Sequence, residues 1–331
     1  MAVKKRTLKI FGWIGKILSG LLLLLVGLII FGVIRETITR NKYHAEYPPP
    51  GELVQVDNHK IHLYCVGEGS PTVIFEADLD QYGSLSWGSV QGEIGKYTRA
   101  CSYDRAGIMW SEPGPRPRDG ETIVAELKSV LDNAGENGPY LLVGHAFGGG
   151  YVRIFAGENP DEVCGMVLLE SSHPEMLTRF EELGNNVEIP DKKIRPLILL
   201  LSHLGSPGRY KGNIYNLPPE IYNPVQAYFP ESSMAWFDEK VESLDTLALA
   251  GKYDYLGNFP LIVIASGKPT SVEGGQELDE MWLELQHDLL SLSDTSEIRI
   301  YETGHYPQLQ DPDLVIESIQ DVLWVCNGTT D

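Results

Sequence analysis

The segment that most constrains this chain is an apolar run ending in a glycine-bracketed turn, Tyr140-Leu-Leu-Val-Gly144-His145-Ala146-Phe147-Gly148-Gly149-Gly150. A short apolar run bounded by glycine reads as a buried strand, and a helical pattern follows at once over 151–158. So abrupt a passage from strand to helix needs small flanking residues, because the two backbones approach closely. A dinucleotide phosphate would also suit a glycine-rich turn, but that reading needs G-x-G-x-x-G and finds only a partial match. Further strand candidates lie at 53–56, 61–66, 72–77, 99–104, 166–171, 261–266 and 298–301. The first two straddle Asp57-Asn58-His59-Lys60 as a hairpin. Helical patterns at 121–133, 277–292 and 312–325 lie between or after the others. Strand–helix alternation of this kind predicts an α/β fold with a mostly parallel sheet covered on both faces. Residues 172–258 break the rhythm. They are rich in proline and aromatics and mostly helix-like, and their place between two strands predicts a helical lid over the sheet's C-terminal edge.

The first 42 residues differ in kind from the rest. Residues 17–34 carry no charge and include the run Leu21-Leu-Leu-Leu-Leu25. At ~1.5 Å rise per residue such a helix covers about 27 Å, close to a bilayer's ~30 Å hydrocarbon core. Extension back to residue 10, with Lys16 snorkelling, makes up the difference. The run is too long for a signal-peptide core and ends in Val33-Ile34-Arg35-Glu36, without a small-x-small cleavage pattern. The sequence therefore predicts an uncleaved single-pass membrane anchor over 1–42, with its helix at about 10–34. Of eight basic residues in this part, five precede or enter the span and three follow it, which favours an extracytoplasmic main domain. Tyr47-Pro48-Pro49-Pro50-Gly51 reads as a stiff Pro-rich linker over 43–51. The expected organisation then continues with a core of 52–171 and 260–326, a helical lid over 172–259, and a tail over 327–331.

Beyond residue 42 the chain holds 18 basic and 45 acidic side chains, a net charge of −27 against −20 for the whole. A surface so acidic repels phosphate backbones and argues against a nucleic-acid partner. It repels anionic lipid too, so the globular part is not expected to lie flat on a membrane. The four cysteines, Cys65, Cys101, Cys164 and Cys326, have no metal-ligand spacing. No metal or cofactor motif is recognised.

Several segments together resemble the α/β-hydrolase superfamily, in its bacterial esterase-like, lid-containing form. They are 71–77, Cys101-Ser-Tyr-Asp-Arg-Ala-Gly107, 138–149, 167–174 and Gly304-His305-Tyr-Pro-Gln-Leu-Gln-Asp-Pro312. The resemblance covers roughly 51–326 and implies that 140–150 is a nucleophile elbow of the G-x-S-x-G type. Gly144 and Gly148 match its spacing, but Ala146 stands where the serine nucleophile would be. His305, just after the last strand, matches the general base. Glu170, at the end of the strand before the lid, is the expected acid partner, since the strand after the lid offers no carboxylate until Glu273. By position Leu79 and Phe147 supply the oxyanion-hole N–H groups, with Asp78 where the family commonly has glycine. An inward-pointing Asp78 would oppose a negative oxyanion; an outward-pointing one would be bland. The family's sheet order makes Cys65 and Cys101 neighbours and leaves a bridge between them open.

Alanine offers no nucleophile, so the acyl-enzyme route is closed at this position. The expected function is hydrolase-like toward a small ester-type molecule, with serine hydrolysis weak or lost. Open alternatives are an acid–base enzyme using His305 and Glu170, similar to lyases and oxygenases of this fold, and a ligand-binding pseudoenzyme. Asp78 acting as a carboxylate nucleophile or base is disfavoured by its loop position. Trp110 is a candidate for the pocket mouth or, equally, for ordinary packing, and Arg105 for pairing within the fold. The lid aromatics Tyr210, Tyr215, Tyr222, Tyr228, Phe229, Trp236 and Phe237 suggest an acyl or aromatic ligand, or lid packing.

Overall fold

The computed structural model describes residues 2–185, 188–205, 217–267, 275–302 and 304–328, with backbone alone for 2–12. Tyr210, Tyr215 and Glu273 lie outside the described residues. Eight strands form the sheet: β1 (Glu52–Val56), β2 (His59–Val66), β3 (Thr72–Glu76), β4 (Ala100–Tyr103), β5 (Tyr140–His145), β6 (Val163–Leu169), β7 (Pro260–Ser266) and β8 (Thr295–Tyr301). Their spatial order is β1-β2-β4-β3-β5-β6-β7-β8. The pairings of β2 with β1 and β4 are antiparallel, and every other pairing is parallel.

The helices are α1 (Ala2–Glu46), α2 (Gln91–Ile94), α3 (Gly120–Ala134), α4 (Phe147–Glu158), α5 (Met176–Glu182), α6 (Arg195–His203), α7 (Pro219–Val241), α8 (Ser243–Ala250), α9 (Gly275–Asp288), α10 (Pro307–Gln310) and α11 (Pro312–Cys326). Side chains alternate across the sheet as a period of two requires. Ile74, Leu142, Leu168 and Val263 pack with α3, α4 and α8 on one face. Val73, Val143, Val167 and Ile264 pack with α2 and α11 on the other. Burial on both faces explains why β3, β5 and β6 read as nearly continuous apolar runs. A third cluster joins Met109 and Trp110 to Ile221, Val225 and Tyr228 of α7, with Tyr43 and Tyr47 packed against it. The helices α5 to α8 form the insertion between β6 and β7.

Two expected boundaries are corrected here. The first helix does not stop near residue 34 but continues to Glu46, and the linker shrinks accordingly. Neither glycine nor proline occurs between Gly32 and Pro48, so nothing local ends it sooner. Tertiary contacts then hold its last turns against the insertion. Arg40 Nε lies 2.6 Å from Glu231 Oε1. The His44 ring stacks on Tyr228 with centroids 4.6 Å apart. The Tyr47 carbonyl accepts from Trp110 Nε1–H at 3.0 Å and from the Tyr228 hydroxyl at 3.1 Å.

Cys65 and Cys101 face each other in the β2–β4 register and are bridged. Cys164 and Cys326 form a second bridge, from β6 to the last turn of α11. The sequence alone did not single out that second pair. Alkylation of the unreduced full chain, read by mass spectrometry, is expected to modify none of the four cysteines. Labelling of Cys164 or Cys326 alone would remove the second bridge and leave the first.

Candidate active site

The turn between β5 and α4 centres on Ala146, with φ 48° and ψ −117°. A residue with a Cβ adopts that conformation only when its surroundings over-determine it, at about 1–3 kcal/mol. Here they do: Ala146 N–H donates to Leu169 O at 2.9 Å, and its carbonyl accepts from Gly149 and Ser172. The bracketing glycines are required by close approach. A Cβ on Gly148 would sit 2.4 Å from Glu76 O, and one on Gly144 would sit 2.7 Å from Gly149 Cα.

The loop after β3 brings Asp78 to this turn, and its side chain points inward. Asp78 Oδ1 accepts from Leu79 N–H at 2.7 Å and from Phe147 N–H at 3.1 Å. These are the two backbone donors that the sequence singled out as an oxyanion hole. A carboxylate oxygen therefore holds both. Its other oxygen lies 3.7 Å from His305 Nε2. On the far side of the ring, Glu170 Oε2 lies 3.8 Å from His305 Nδ1. Both separations suit ion pairs and exceed hydrogen-bond length. Glu170 is itself in a positive-φ conformation, at 46°. Its N–H donates to Ile264 O, and its Oε1 accepts from Ser266 N–H at 2.5 Å. The ends of β6 and β7 thus aim it at the imidazole. Ala146, Asp78, Leu79, Phe147, Glu170 and His305 are brought together in one place.

The cluster's charges decide one another's protonation. Burial works against a charged His305, but Asp78 and Glu170 on its two sides push the imidazole up to about 10. Burial likewise opposes ionisation of Asp78, yet His305, His145 and the Phe147 N–H hold its carboxyl well below the usual range. Asp80 moves the other way, raised by burial and then by the negative charge of Asp78. Two neighbouring carboxyls so divided behave as one ionised and one neutral group. The result is an imidazolium held between Asp78 and Glu170, which can donate a proton but is a poor base near neutral pH.

His145 and Gln308 were not singled out by the sequence reading, although His145 lies inside the turn motif. His145 is buried, and burial pushes its imidazole down to about 4. Its Nε2–H donates to the His305 carbonyl at 2.7 Å, while Nδ1 accepts from Gln308 Nε2–H at 3.2 Å. A neutral His145 therefore anchors the loop that carries His305. Arg105 pairs within the fold, as expected. Its guanidinium reaches Glu76 at 2.7 Å and Glu239 at 2.9 Å, and donates to the carbonyls of Ala77 and Asp78. It thereby holds the Asp78 loop and ties it to α7. From the same helix, Trp236 Nε1–H donates to Leu79 O at 3.1 Å.

Trp110 stands apart from this cluster. It sits against His62 and Tyr228 and lines a cavity of about 570 Å³ between the end of α1, the turn after β4, and α7. Asp78, Ala146, Glu170 and His305 do not line that cavity. Its indole N–H is drawn to the carbonyl of Tyr47, a partner that the sequence placed in a free linker. Cys65, Cys101 and Glu136 are close enough together to share an ion. The two sulfurs are bonded to each other and Glu136 grips Arg99, so these atoms are already engaged.

Comparison with known proteins agrees with this architecture. The family described as "Alpha/beta hydrolase family" matches residues 79–318. An uncharacterised protein of Bacillus subtilis, YqjL, is 26% identical over 259 residues, covering 77% of this chain and 85% of its own length. An uncharacterised vacuolar membrane protein of Saccharomyces cerevisiae is 29% identical over 138 residues, which is 37% of this chain and 21% of that protein. Among solved structures, an esterase from Thermogutta terrifontis superposes with TM-score 0.59 at 15% identity, covering 83% of this chain and 97% of that one. At such identity the likeness is one of fold.

Two outcomes are expected from this geometry. In an NMR titration the His305 ring should remain protonated through pH 8, and Asp78→Asn should lower its midpoint by roughly 1 pH unit, the low end for losing an adjacent anion, because half the side chain is exposed. A midpoint unmoved by the substitution would show that Asp78 does not bear on the ring. Ala146→Gly should relieve the strained turn, and after glycine's entropy penalty leave about 1 kcal/mol of added stability. Thermal unfolding would register this as a Tm about 1–2 °C higher. A lower Tm would mean that the Ala146 methyl group makes contacts worth more than the strain.

Proposed function

From the premise that this chain belongs to the α/β-hydrolase family, we propose that it is a membrane-tethered, hydrolase-like protein whose serine route is closed twice, and whose site binds a small ester-type or acyl molecule without hydrolysing it through an acyl-enzyme. One closure is Ala146, which has no nucleophilic atom. The other is Asp78. The observation that carries the proposal is its Oδ1, which takes the N–H groups of Leu79 and Phe147 that a developing oxyanion would need. The second closure would also oppose a nucleophile restored at residue 146. His305 and Glu170 keep the places of base and acid partner, but the pair is locked in a charge balance with Asp78. The helices of the insertion act as the lid, since α7 reaches the Asp78 loop through Trp236 and Glu239.

The tether is the N-terminal helix, whose Trp13–Glu46 part is long and apolar enough to cross a membrane. The excess of basic residues before the span favours an extracytoplasmic domain. Two disulfides agree with that side, because such bridges persist in oxidising compartments.

The test is hydrolysis of short- and medium-chain nitrophenyl esters by the full chain, by Ala146→Ser, and by Ala146→Ser with Asp78→Gly, each paired with His305→Ala. Loss of one oxyanion donor typically lowers kcat by about 10²–10³. Ala146→Ser alone is therefore expected to stay at least ~10²-fold below the double substitution. The double form should depend on His305. Equal activity of the two forms would show that Asp78 swings aside and would remove the second closure. Turnover by the unmodified chain that vanishes with His305→Ala would replace the binding reading with an acid–base enzyme.

A further inference from the structure

The insertion contains a helix that does not suit water. Helix α6, Arg195-Pro-Leu-Ile-Leu-Leu-Leu-Ser-His203, has five consecutive aliphatic residues, yet only Ser202 of its side chains is buried. Leu197 is 54% exposed, Leu199 38% and Leu200 37%, and Ile194 just before the helix is 42% exposed. A helix apolar on nearly all sides belongs in a core or in lipid.

Its neighbour indicates which. Leu204, at the C-terminal end of α6, closes on Gly32 of α1, where an added Cβ would lie 2.6 Å from Leu204 Cδ2. Gly32 lies inside the uncharged 17–34 run. Gly205 next meets the Glu36 carboxylate, one turn further along α1. At the opposite end, Arg195 shares the 570 Å³ cavity with Arg40 of α1. So α6 runs antiparallel to α1, from the level of Arg40 down to the level of Gly32. The lengths agree, since nine residues of α6 and the eight steps from Gly32 to Arg40 each span about 12–14 Å. Buried and half-buried positions on α1, Ile29, Gly32, Val33, Glu36, Thr39, Arg40 and Tyr43, recur at three- and four-residue spacing and form the face that meets the insertion. The polarity of α6 fits the same depth. Lys192, Lys193 and Arg195 gather at the end level with Arg40, and the leucines follow toward Gly32.

We propose that α6 is seated in the lipid leaflet beside α1, with the acyl chains of the bilayer covering its leucine face, so that the insertion rests in the membrane on one side. This rests on the reading of α1 as a membrane span. The exposed leucines of α6 continue the exposed apolar surface of α1, where Leu28, Ile30 and Phe31 are likewise uncovered. The acidic globular part still repels anionic lipid, as its charge requires. Among the described residues of the insertion, the proposed contact with lipid is made by this one apolar element.

The experiment places a single cysteine at Leu200, Leu23 or Tyr97 of the full chain, which leaves the native disulfides intact under non-reducing conditions. Each variant is labelled with a nitrobenzoxadiazole dye and reconstituted into phosphatidylcholine vesicles with or without doxyl-labelled phosphatidylcholine. Leu23 reports on the span, and Tyr97, exposed beyond α2, on water. Quenching at Leu200 is expected within about twofold of that at Leu23 and well above Tyr97, as for an apolar face ~5–10 Å below the headgroups. Quenching at Leu23 with none at Leu200 beyond the Tyr97 level would overturn the proposal and leave the tether standing. Absence of quenching at Leu23 would overturn the tether, and the seating of α6 with it.

Discussion

The Asp78 carboxylate links parts of the molecule that would otherwise be independent. One oxygen takes backbone N–H groups from its own loop and from the first turn of α4. The other faces His305, which Glu170 approaches from the opposite side. Beneath the loop, Arg105 binds the carbonyls of Ala77 and Asp78 and pairs with carboxylates on β3 and α7. Charge on a buried group is tolerated only where partners surround it, and each member of this chain of contacts supplies a partner to the next. The elbow, the histidine loop and α7 are held in register by that one requirement.

The same physics explains how a strained turn is retained around an alanine. Strain at Ala146 and Glu170 is over-determined by ladder hydrogen bonds to Leu169 and Ile264 and by glycines that admit neighbouring backbones. None of these supports involves the side chain at residue 146. Those supports therefore need no particular side chain at residue 146, whereas a serine route would need both a hydroxyl there and the donors that Asp78 holds.

Further back along α7, α1 and the insertion form one structural unit. Arg40 and His44 meet Glu231, and the Tyr47 carbonyl is shared by Trp110 and Tyr228. A flexible spacer would let the domain tumble above a membrane. A helix docked through charged and aromatic contacts fixes the domain's orientation relative to α1 instead. The cavity beside that joint lies apart from the His305 cluster, so orientation and chemistry occupy different regions.

The strands and the glycine turn were legible in the sequence from local periodicity and spacing, while the places of His305 and Glu170 came from the resemblance of their flanking segments to a known family. The resemblance also marked the N–H groups of Leu79 and Phe147, which the structure brings together on Asp78. The direction of Asp78 was not legible, since inward and outward conformers differ only in the neighbours they meet, and those neighbours come from α4, β4 and α7. The packing partner of Trp110, the Tyr47 carbonyl, was not legible because it directly follows a helix that local sequence ended too early. His145 lay in plain view within the turn, but only the loop carrying His305 gives it a role. By itself, then, the sequence determined the sheet, the insertion, the apolar helix and the missing hydroxyl, which are properties of residue type and order. Tertiary structure alone decided that a carboxylate fills the donor pair and that the helix docks. Both follow from side chains far apart in sequence meeting where neither charge nor hydrogen-bonding group can be left unpaired.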